Sequence, residues 1–166
     1  ATQAPSGGNS QPWHFLVVKD KIQKEEFAEL YHQAWWAKRA DQGIYKPEDI
    51  AENNKTTLSA MKLSDEIATA PAIILVCATA QGSGPMGSVI PAVQNLLLTA
   101  RSLGIGGTIT TLHPSVEDQV KSMFNMPENV QIVYCVPIGY PKGNFGPVQR
   151  KPLAEVTSLG VWGEPL

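Results

Sequence analysis

The sequence predicts an α/β fold, an α+β sandwich in which helices flank a mixed central sheet. Short apolar segments rich in Val and Ile alternate along the chain with longer segments of helical periodicity. Such alternation is typical of a sheet covered by helices. With 166 residues, the chain is long enough to form a single domain over 1–166 with a substantial hydrophobic core.

The first half of the chain predicts two strands and two helices. "HFLVVKD" has the apolar, Val-rich composition of a short strand. "KIQKEEFAELYHQAWWAKRAD" predicts a helix, since its apolar side chains recur at helical spacing: Phe27, Leu30, Tyr31 and Ala34. After a loop, "TTLSAMKLSDEIATA" predicts a second helix that ends before Pro71. "PAIILVCAT" follows as a buried strand, because its apolar run is continuous.

The second half predicts two more helices and two more strands. "AQGSGPMGS" predicts a flexible loop, and "VIPAVQNLLLTARSLG" predicts a helix that ends at Gly104. "GIGGTITTLH" predicts a glycine-rich turn into a Thr-rich strand. "SVEDQVKSMFN" predicts a helix capped by Ser115, with Asp118 three residues later. "VQIVYCVPIGYP" predicts the last core strand, and "KGNFGPVQRKPLAEV" a loop with a short C-terminal segment.

Composition argues against several classes of partner. The formal net charge is only −2, so nucleic acid and anionic membrane surfaces are not expected partners. No apolar run has the length of a membrane span, and the three scattered histidines give a metal site little support. Cys77 and Cys135 lie in apolar runs without CxxC spacing, which predicts buried free thiols and a reducing, cytoplasmic setting.

The segment "APSGGNSQPWHF" is the most distinctive motif. Gly7 and Gly8 permit close approach of the backbone to a ligand, and the surrounding side chains supply short polar groups: Ser6, Asn9, Ser10 and Gln11. Such a loop can hold a phosphate or the polar edge of a heterocycle. It can also be a surface turn that caps its own backbone, the interpretation that composition alone favours.

Two other motifs leave alternatives open. "GIGGT" lacks the full GxGxxG pattern and follows a helix, so it does not predict a dinucleotide fingerprint. In "QRKPL", Arg150 and Lys151 are either a solvated basic pair or a phosphate contact. The sequence has neither paired carboxylates nor a Ser/His/Asp order that would indicate a hydrolase.

Three stretches together resemble the nitroreductase family of FMN-dependent oxidoreductases. "APSGGNSQPWHFLVV" resembles the family's signature loop, and "MGSVIPAVQNLLLTARSLGIGGTITTLH" resembles its central helix and flavin-edge strand. "VPIGYPKGNFGPVQRKPLAEV" is similar to the last core strand and basic phosphate segment, and "GVWG" to the aromatic tail. The resemblance covers about half the residues in the family's order, whereas residues 20–66 match only loosely.

The resemblance implies a set of cofactor-binding residues. Pro5, Ser6, Gly7, Gly8 and Asn9 match the loop that contacts FMN from the opposite subunit of a homodimer, and Gln11 matches its glutamine. Ile109, Thr110 and Thr111 match the stretch whose backbone amides face the N5 edge of the isoalloxazine ring. Arg150, with Lys151 beside it, matches the basic group on the phosphate.

The sequence departs from the family at its start. Family members begin with a helix and an "RRSxRxF"-like segment that binds the phosphate and ribityl chain, and nothing precedes Ala1 here. We expect that residues before Ala1 exist in the full protein, because a domain without its first helix would expose a large apolar face. The alternative is a truncated form that binds flavin poorly.

The resemblance implies an FMN-dependent oxidoreductase that takes a hydride from NAD(P)H and reduces a small electron-poor acceptor, such as a nitroaromatic or a quinone. The flavin carries the chemistry, so no catalytic acid or base is predicted. The aromatic side chains of the variable region either line the site or pack in the core or dimer interface: Trp35, Trp36 and Tyr45. The alternatives are another flavin chemistry, such as dehalogenation or ene reduction, and a non-catalytic flavin-binding module.

Overall fold

A computed structural model describes residues 1–143 and 146–165, which form four helices and four strands on a common core. Asn144 and Phe145, which belong to the predicted loop after the last strand, and Leu166 lie outside the described residues. The α/β architecture is confirmed. In chain order the elements are β1 (Trp13–Val18), α1 (Lys21–Ala40), α2 (Lys55–Glu66), β2 (Ala72–Ala78), α3 (Ser83–Ser102), β3 (Gly106–Gly107), α4 (Pro114–Met123) and β4 (Gln131–Gly139).

The described strands form one sheet in the order β1-β2-β4-β3, and each neighbouring pair is antiparallel. The sequence predicts a mixed sheet, so the strand directions differ from that expectation. The pairing of Val18 with Ile73 shows that β2 begins at the edge where β1 ends. The chain passes through two helices between these strands, whereas one crossover helix would have produced a parallel pair.

Strand β2 is buried on both faces, as its continuous apolar run predicts. Ile73, Leu75 and Cys77 belong to a cluster with residues of α1 and α4. Ile74, Val76 and Ala78 belong to a second cluster with residues of α3. Each fully buried aliphatic side chain of this kind contributes about 1.5–3 kcal/mol. The sheet therefore separates a face covered by α1 and α4 from a face covered by α3.

Helix α3 begins at Ser83, inside the segment predicted as a flexible loop. Gly82 turns the chain into the helix with φ 112°. Pro85 lies in the first turn, where the missing amide hydrogen would have no partner within the helix. Burial of Val89 and Val93 against the sheet stabilises the helix beyond what its local composition indicates.

The predicted Thr-rich strand after α3 is reduced to Gly106–Gly107 and an isolated bridge between Thr110 and Cys135. Its pairing with β4 breaks opposite Pro137. In an antiparallel strand, every second residue forms hydrogen bonds with the same neighbouring strand. After Cys135, the next residue of β4 whose amide would donate to this segment is Pro137. The proline has no amide hydrogen, so the ladder is interrupted.

Helix α4 is capped by His113, not by Ser115 as the sequence predicts. The Nδ1 atom of His113 accepts a hydrogen bond from the Ser115 amide at 3.2 Å. Pro114 occupies the first helical position, where its fixed φ suits a helix start. The Nε2 atom of His113 also lies 3.0 Å from Oδ2 of Asp41, just after α1.

The buried thiols predicted from the sequence are confirmed, since Cys77 and Cys135 are both free and buried. Burial raises the pKa of the Cys77 thiol to about 11 and raises that of Cys135 further.

Among residues 1–143 and 146–165, no helix is long and apolar enough to cross a membrane. The same residues contain no group of three His, Cys, Asp or Glu side chains placed to hold a metal ion.

Candidate functional site

The signature loop before β1 has an unusual backbone conformation. Gly8, Asn9 and Gln11 all adopt positive φ, at 58°, 54° and 47°. Asparagine tolerates such angles better than most residues, whereas for glutamine they are uncommon, and backbone strain of this kind concentrates at functional sites. The amide of Gln11 donates to Oγ of Ser6 at 3.0 Å, which closes the turn. Residues 7–11 are exposed, so the strained backbone faces solvent.

One side chain of α3 fixes the loop to the rest of the domain. The Gly7 amide donates to Oγ of Ser88 at 3.2 Å, and that hydroxyl donates to the carbonyl of Gly84 at 3.3 Å. At the other end of the loop, the Pro12 carbonyl accepts from the Thr79 amide at 2.8 Å. The loop therefore lies on the α3 side of the sheet.

The segment Ile109–Thr111 is held from the opposite side of the sheet. The amide of Thr110 donates to the Cys135 carbonyl at 3.0 Å, and the Cys135 amide donates to the Thr110 carbonyl at 2.8 Å. The Thr110 hydroxyl also hydrogen-bonds to the Tyr31 hydroxyl of α1. Because the Thr110 amide is engaged with the sheet, it is not available to a ligand. The alternation of backbone groups turns the amides of Ile109 and Thr111 away from β4.

A cavity of about 790 Å³ lies between α1, α2 and this segment. This volume is within the usual range for sites that bind cofactors and drug-sized ligands, about 300–1,000 Å³. The α1 wall includes Tyr31, Trp35 and Arg39, the α2 wall includes Lys55 and Leu63, and Thr108–Thr111 form the third wall. The Arg39 guanidinium lies 5.3 Å from the centre of the Trp35 ring.

Tyr31 forms the floor of this cavity as a neutral phenol. Its side chain is buried, and burial raises the pKa of the phenol above its ordinary value. The hydrogen bond from Thr110 opposes that shift, and Cys135 adds to it. At neutral pH, Tyr31 can therefore exchange hydrogen bonds at the cavity wall but does not carry charge.

Arg150 and Lys151 lie in an exposed segment after β4. The Arg150 guanidinium donates to the neighbouring Gln149 carbonyl at 2.8 Å. No ion pair is described for either cation within residues 1–143 and 146–165. Both charges are accessible to an anion from solvent.

The predicted site residues thus fall into three separate places. Pro5–Gln11 lie on the α3 side, Ile109–Thr111 line the cavity beside α1 and α2, and Arg150 and Lys151 lie in the C-terminal segment. Of the three aromatic residues considered from the sequence, Trp35 lines the cavity. Trp36 donates through its indole to His32, and Tyr45 is largely exposed.

Sequence reasoning missed the charged part of the cavity. Lys38, Arg39 and Lys55 line it, and none of them stands out from a sequence in which helices α1 and α2 are rich in charge. The available signal was spacing: Tyr31, Trp35 and Lys38 recur at intervals that place them on one helical face. This spacing predicts a shared helical face, but it indicates a binding site only when the position of α2 is known.

The model of the nitroreductase family matches residues 1–140. The chain belongs to the nitroreductase family. It is 30% identical over 149 residues to a protein of Archaeoglobus fulgidus whose name assigns it to NADH dehydrogenases or NAD(P)H nitroreductases. That alignment covers 86% of this chain and 68% of the relative. It is also 28% identical over 174 residues to the iodotyrosine deiodinase of Nematostella vectensis, covering 96% of this chain and 63% of the relative.

Solved structures agree with the fold. An iodotyrosine deiodinase bound to FMN and 3-iodo-L-tyrosine is 25% identical, with a TM-score of 0.71 over 92% of this chain and 79% of that chain. The FMN-dependent nitroreductase NfnB of Mycobacterium smegmatis, in complex with NADPH, is 23% identical. It has a TM-score of 0.72 over 96% of this chain and 84% of that chain.

The family membership and the fold that the signature motifs implied are confirmed. The expected enzyme class is also confirmed: an NAD(P)H-dependent flavin oxidoreductase of the nitroreductase type. The chain spans less than two thirds of the length of the Nematostella deiodinase. The acceptor, the assembly and the roles of individual residues are therefore matters for proposal.

Proposed function

We propose that residues 1–166 form an FMN-binding domain that takes a hydride from NAD(P)H and reduces a small electron-poor acceptor, such as a nitroaromatic or a quinone. The exposed, strained loop Pro5–Gln11 is the observation that carries this proposal. Its sequence matches the family signature, and its left-handed backbone is costly at Gln11, a kind of strain that concentrates at functional sites. When bound, FMN supplies two-electron chemistry between NAD(P)H and the acceptor.

The chain offers groups that suit each part of FMN. The amides of Ile109 and Thr111 lie at the edge of the cavity, and they are the donors that the sheet leaves available to the polar edge of a flavin ring. Arg150 and Lys151 would hold the phosphate, one as a bidentate fork and the other as a point charge. These residues bind and orient the cofactor, and no side chain is assigned as a catalytic acid or base.

We propose a homodimer, because the sheet separates two parts of the candidate site. The loop is anchored to α3 on one face, whereas Thr110 is bonded to α1 on the other. A second copy would bring its loop to the flavin beside Ile109–Thr111. Exposed apolar side chains on α3, Ile90 and Leu98, and in the C-terminal segment, including Trp162, support an interface between copies.

Reductive dehalogenation is the second candidate function. The deiodinase relatives and the deiodinase structure favour it, since that structure holds a halogenated tyrosine together with FMN. Ene reduction is a further alternative within the same enzyme class. The buried free thiols are consistent with a reducing compartment, and we propose a cytoplasmic location.

The test is flavin loading followed by turnover. We expect the purified protein to bind FMN, show flavin absorbance and lose that absorbance when NADH or NADPH is added without oxygen. Nitroaromatic, quinone and iodotyrosine acceptors are then compared by kcat/KM. Bleaching with selective turnover of iodotyrosine would favour dehalogenation. Flavin absorbance that neither nucleotide bleaches would refute the proposed hydride transfer from NAD(P)H, and failure to bind FMN would refute the proposal as a whole.

A further inference from the structure

One end of the cavity between α1 and α2 is basic. Lys38 and Arg39 lie in the last turn of α1, and Lys55 is the first residue of α2. The hydroxyl side chains of Thr56 and Ser59 also line the cavity. No Asp or Glu occurs among the described residues that form its walls. The cavity therefore has an uncompensated positive potential at this end.

The three cations have no anionic partner within the part of the chain that the structure describes. The ion pairs described there join other side chains, at 3.0 to 4.0 Å. The Arg39 guanidinium lies over Trp35, and its Nε atom is buried without a hydrogen-bond partner. A buried donor left without a partner destabilises the protein, so a ligand that accepts from it gains affinity.

The other end of the cavity is suited to an aromatic ring. Tyr31 and Ala34 of α1 and Leu63 of α2 form its walls, next to Thr110. Tyr31 and Lys38 are seven residues apart on α1, which corresponds to about 10 Å along the helix. A ligand that fills both ends is therefore elongated, with a flat apolar part near Ile109–Thr111 and an anionic group near the cations.

We infer that this cavity binds the electron acceptor, and that Lys38, Arg39 and Lys55 recognise an acidic group on it. The inference rests on the proposed function. The acceptor class is an aromatic compound with a carboxylate several bonds from its reducible group. An amino-acid zwitterion matches the site less well, because the described walls offer no carboxylate to its ammonium group.

The experiment compares three acceptors on the FMN-loaded protein: 4-nitrobenzoate, its neutral amide and 4-nitrophenylalanine. We expect kcat/KM for the acid to exceed that for the amide by about tenfold or more, as a hydrogen bond to a charged partner implies. The zwitterion should gain little over the amide. Lys55→Met and Arg39→Gln should each lower the ratio of kcat/KM for the acid to kcat/KM for the amide by about tenfold.

Lys62→Met is the matched control, because Lys62 is an exposed lysine of α2 that pairs with Glu66 and does not line the cavity. It should leave all three acceptors unchanged. Benzoate binding, measured by calorimetry, gives a readout that does not depend on turnover. Weaker benzoate binding in Lys55→Met, but not in Lys62→Met, supports the anion site even if no acceptor is reduced and the proposed function fails.

Three outcomes would overturn the inference while leaving the proposed function intact. The acid and the amide could be reduced equally well by the unmodified protein. The variants could lower the affinity for FMN itself, which would assign the cations to the cofactor phosphate. They could remove a preference for NADPH over NADH without changing the acceptor ratio, which would assign the cations to the nucleotide.

Discussion

Replacement of Gly8 by valine tests the signature loop through its backbone conformation. Gly8 has φ 58°, whereas a side chain added at this position would meet no atom within 4 Å. The free-energy cost of Gly8→Val therefore comes from backbone strain and not from a steric clash. A left-handed conformation costs a β-branched residue about 1–2 kcal/mol, and the chain can avoid that cost by changing the loop.

If the loop binds FMN in its present conformation, the free-energy cost of Gly8→Val appears as a loss of affinity for FMN. We expect Gly8→Val to raise the dissociation constant for FMN by about fivefold to thirtyfold, since 1.4 kcal/mol corresponds to tenfold. The assay is titration of the FMN-free protein by fluorescence quenching, with circular dichroism to verify that the helices persist. Helix content should stay unchanged, because the loop lies outside the core clusters.

Two companion variants separate strain from bulk. Gly8→Asn adds a side chain but tolerates positive φ, so it should lose far less affinity than Gly8→Val. Gly7→Ala is the positional control, because Gly7 lies outside the positive-φ region and an added Cβ would lie 3.9 Å from Oγ of Ser88, an ordinary contact. Unchanged FMN affinity in Gly8→Val, with all variants folded, would refute the role of the loop as a cofactor clamp and leave it a surface turn.

Three further outcomes are expected. Arg150→Ala should weaken FMN binding by about tenfold to a hundredfold through loss of a charge-assisted contact, and an unchanged titration would make Arg150 a solvated surface charge. Ser88→Ala removes the acceptor of the Gly7 amide and should weaken FMN binding by about twofold to tenfold; equal binding would mean that the loop holds its shape without α3. Because burial raises the Cys77 pKa to about 11 from an ordinary 9.0, the folded state favours the neutral thiol, and this contribution is complete below pH 9 and lost as the pH rises towards 11. Urea unfolding should show a loss of about 2–3 kcal/mol over that interval, smaller in Cys77→Ala, and an equal loss in that variant would assign the effect to other groups.

The core of the fold was predictable because local pattern and tertiary burial agree there. The continuous apolar run of Ala72–Ala78 predicts a strand covered on both faces, and its alternate residues enter the two core clusters. Helix α1 extends over Lys21–Ala40, as its apolar spacing predicts. The start of α3 was not predictable from composition, because Ser83–Ser88 form a helix only with the help of packing farther along the chain.

The candidate site likewise has a part that the sequence could reveal and a part that it could not. The loop Pro5–Gln11 could be recognised because its residues are contiguous, and a strained turn leaves a local signature of glycine, asparagine and proline. The basic end of the cavity could not be recognised, since Lys38 and Lys55 are seventeen positions apart and meet only when α1 and α2 pack side by side. Charged side chains on a helix are usually solvated, and only the packing of α1 against α2 shows that these cations converge on one cavity.

The proline of β4 connects the fold to the proposed chemistry. If β4 had an amide hydrogen at position 137, the pairing from Gly106 to Thr110 could continue without interruption. Pro137 breaks that ladder at its partner Thr108, while Cys135 still fixes Thr110 by two hydrogen bonds. Thr110 is therefore fixed to the buried core although the ladder is interrupted at Thr108. From this fixed point the alternation of backbone groups turns the amides of Ile109 and Thr111 outward, as the proposed binding edge for a flavin requires.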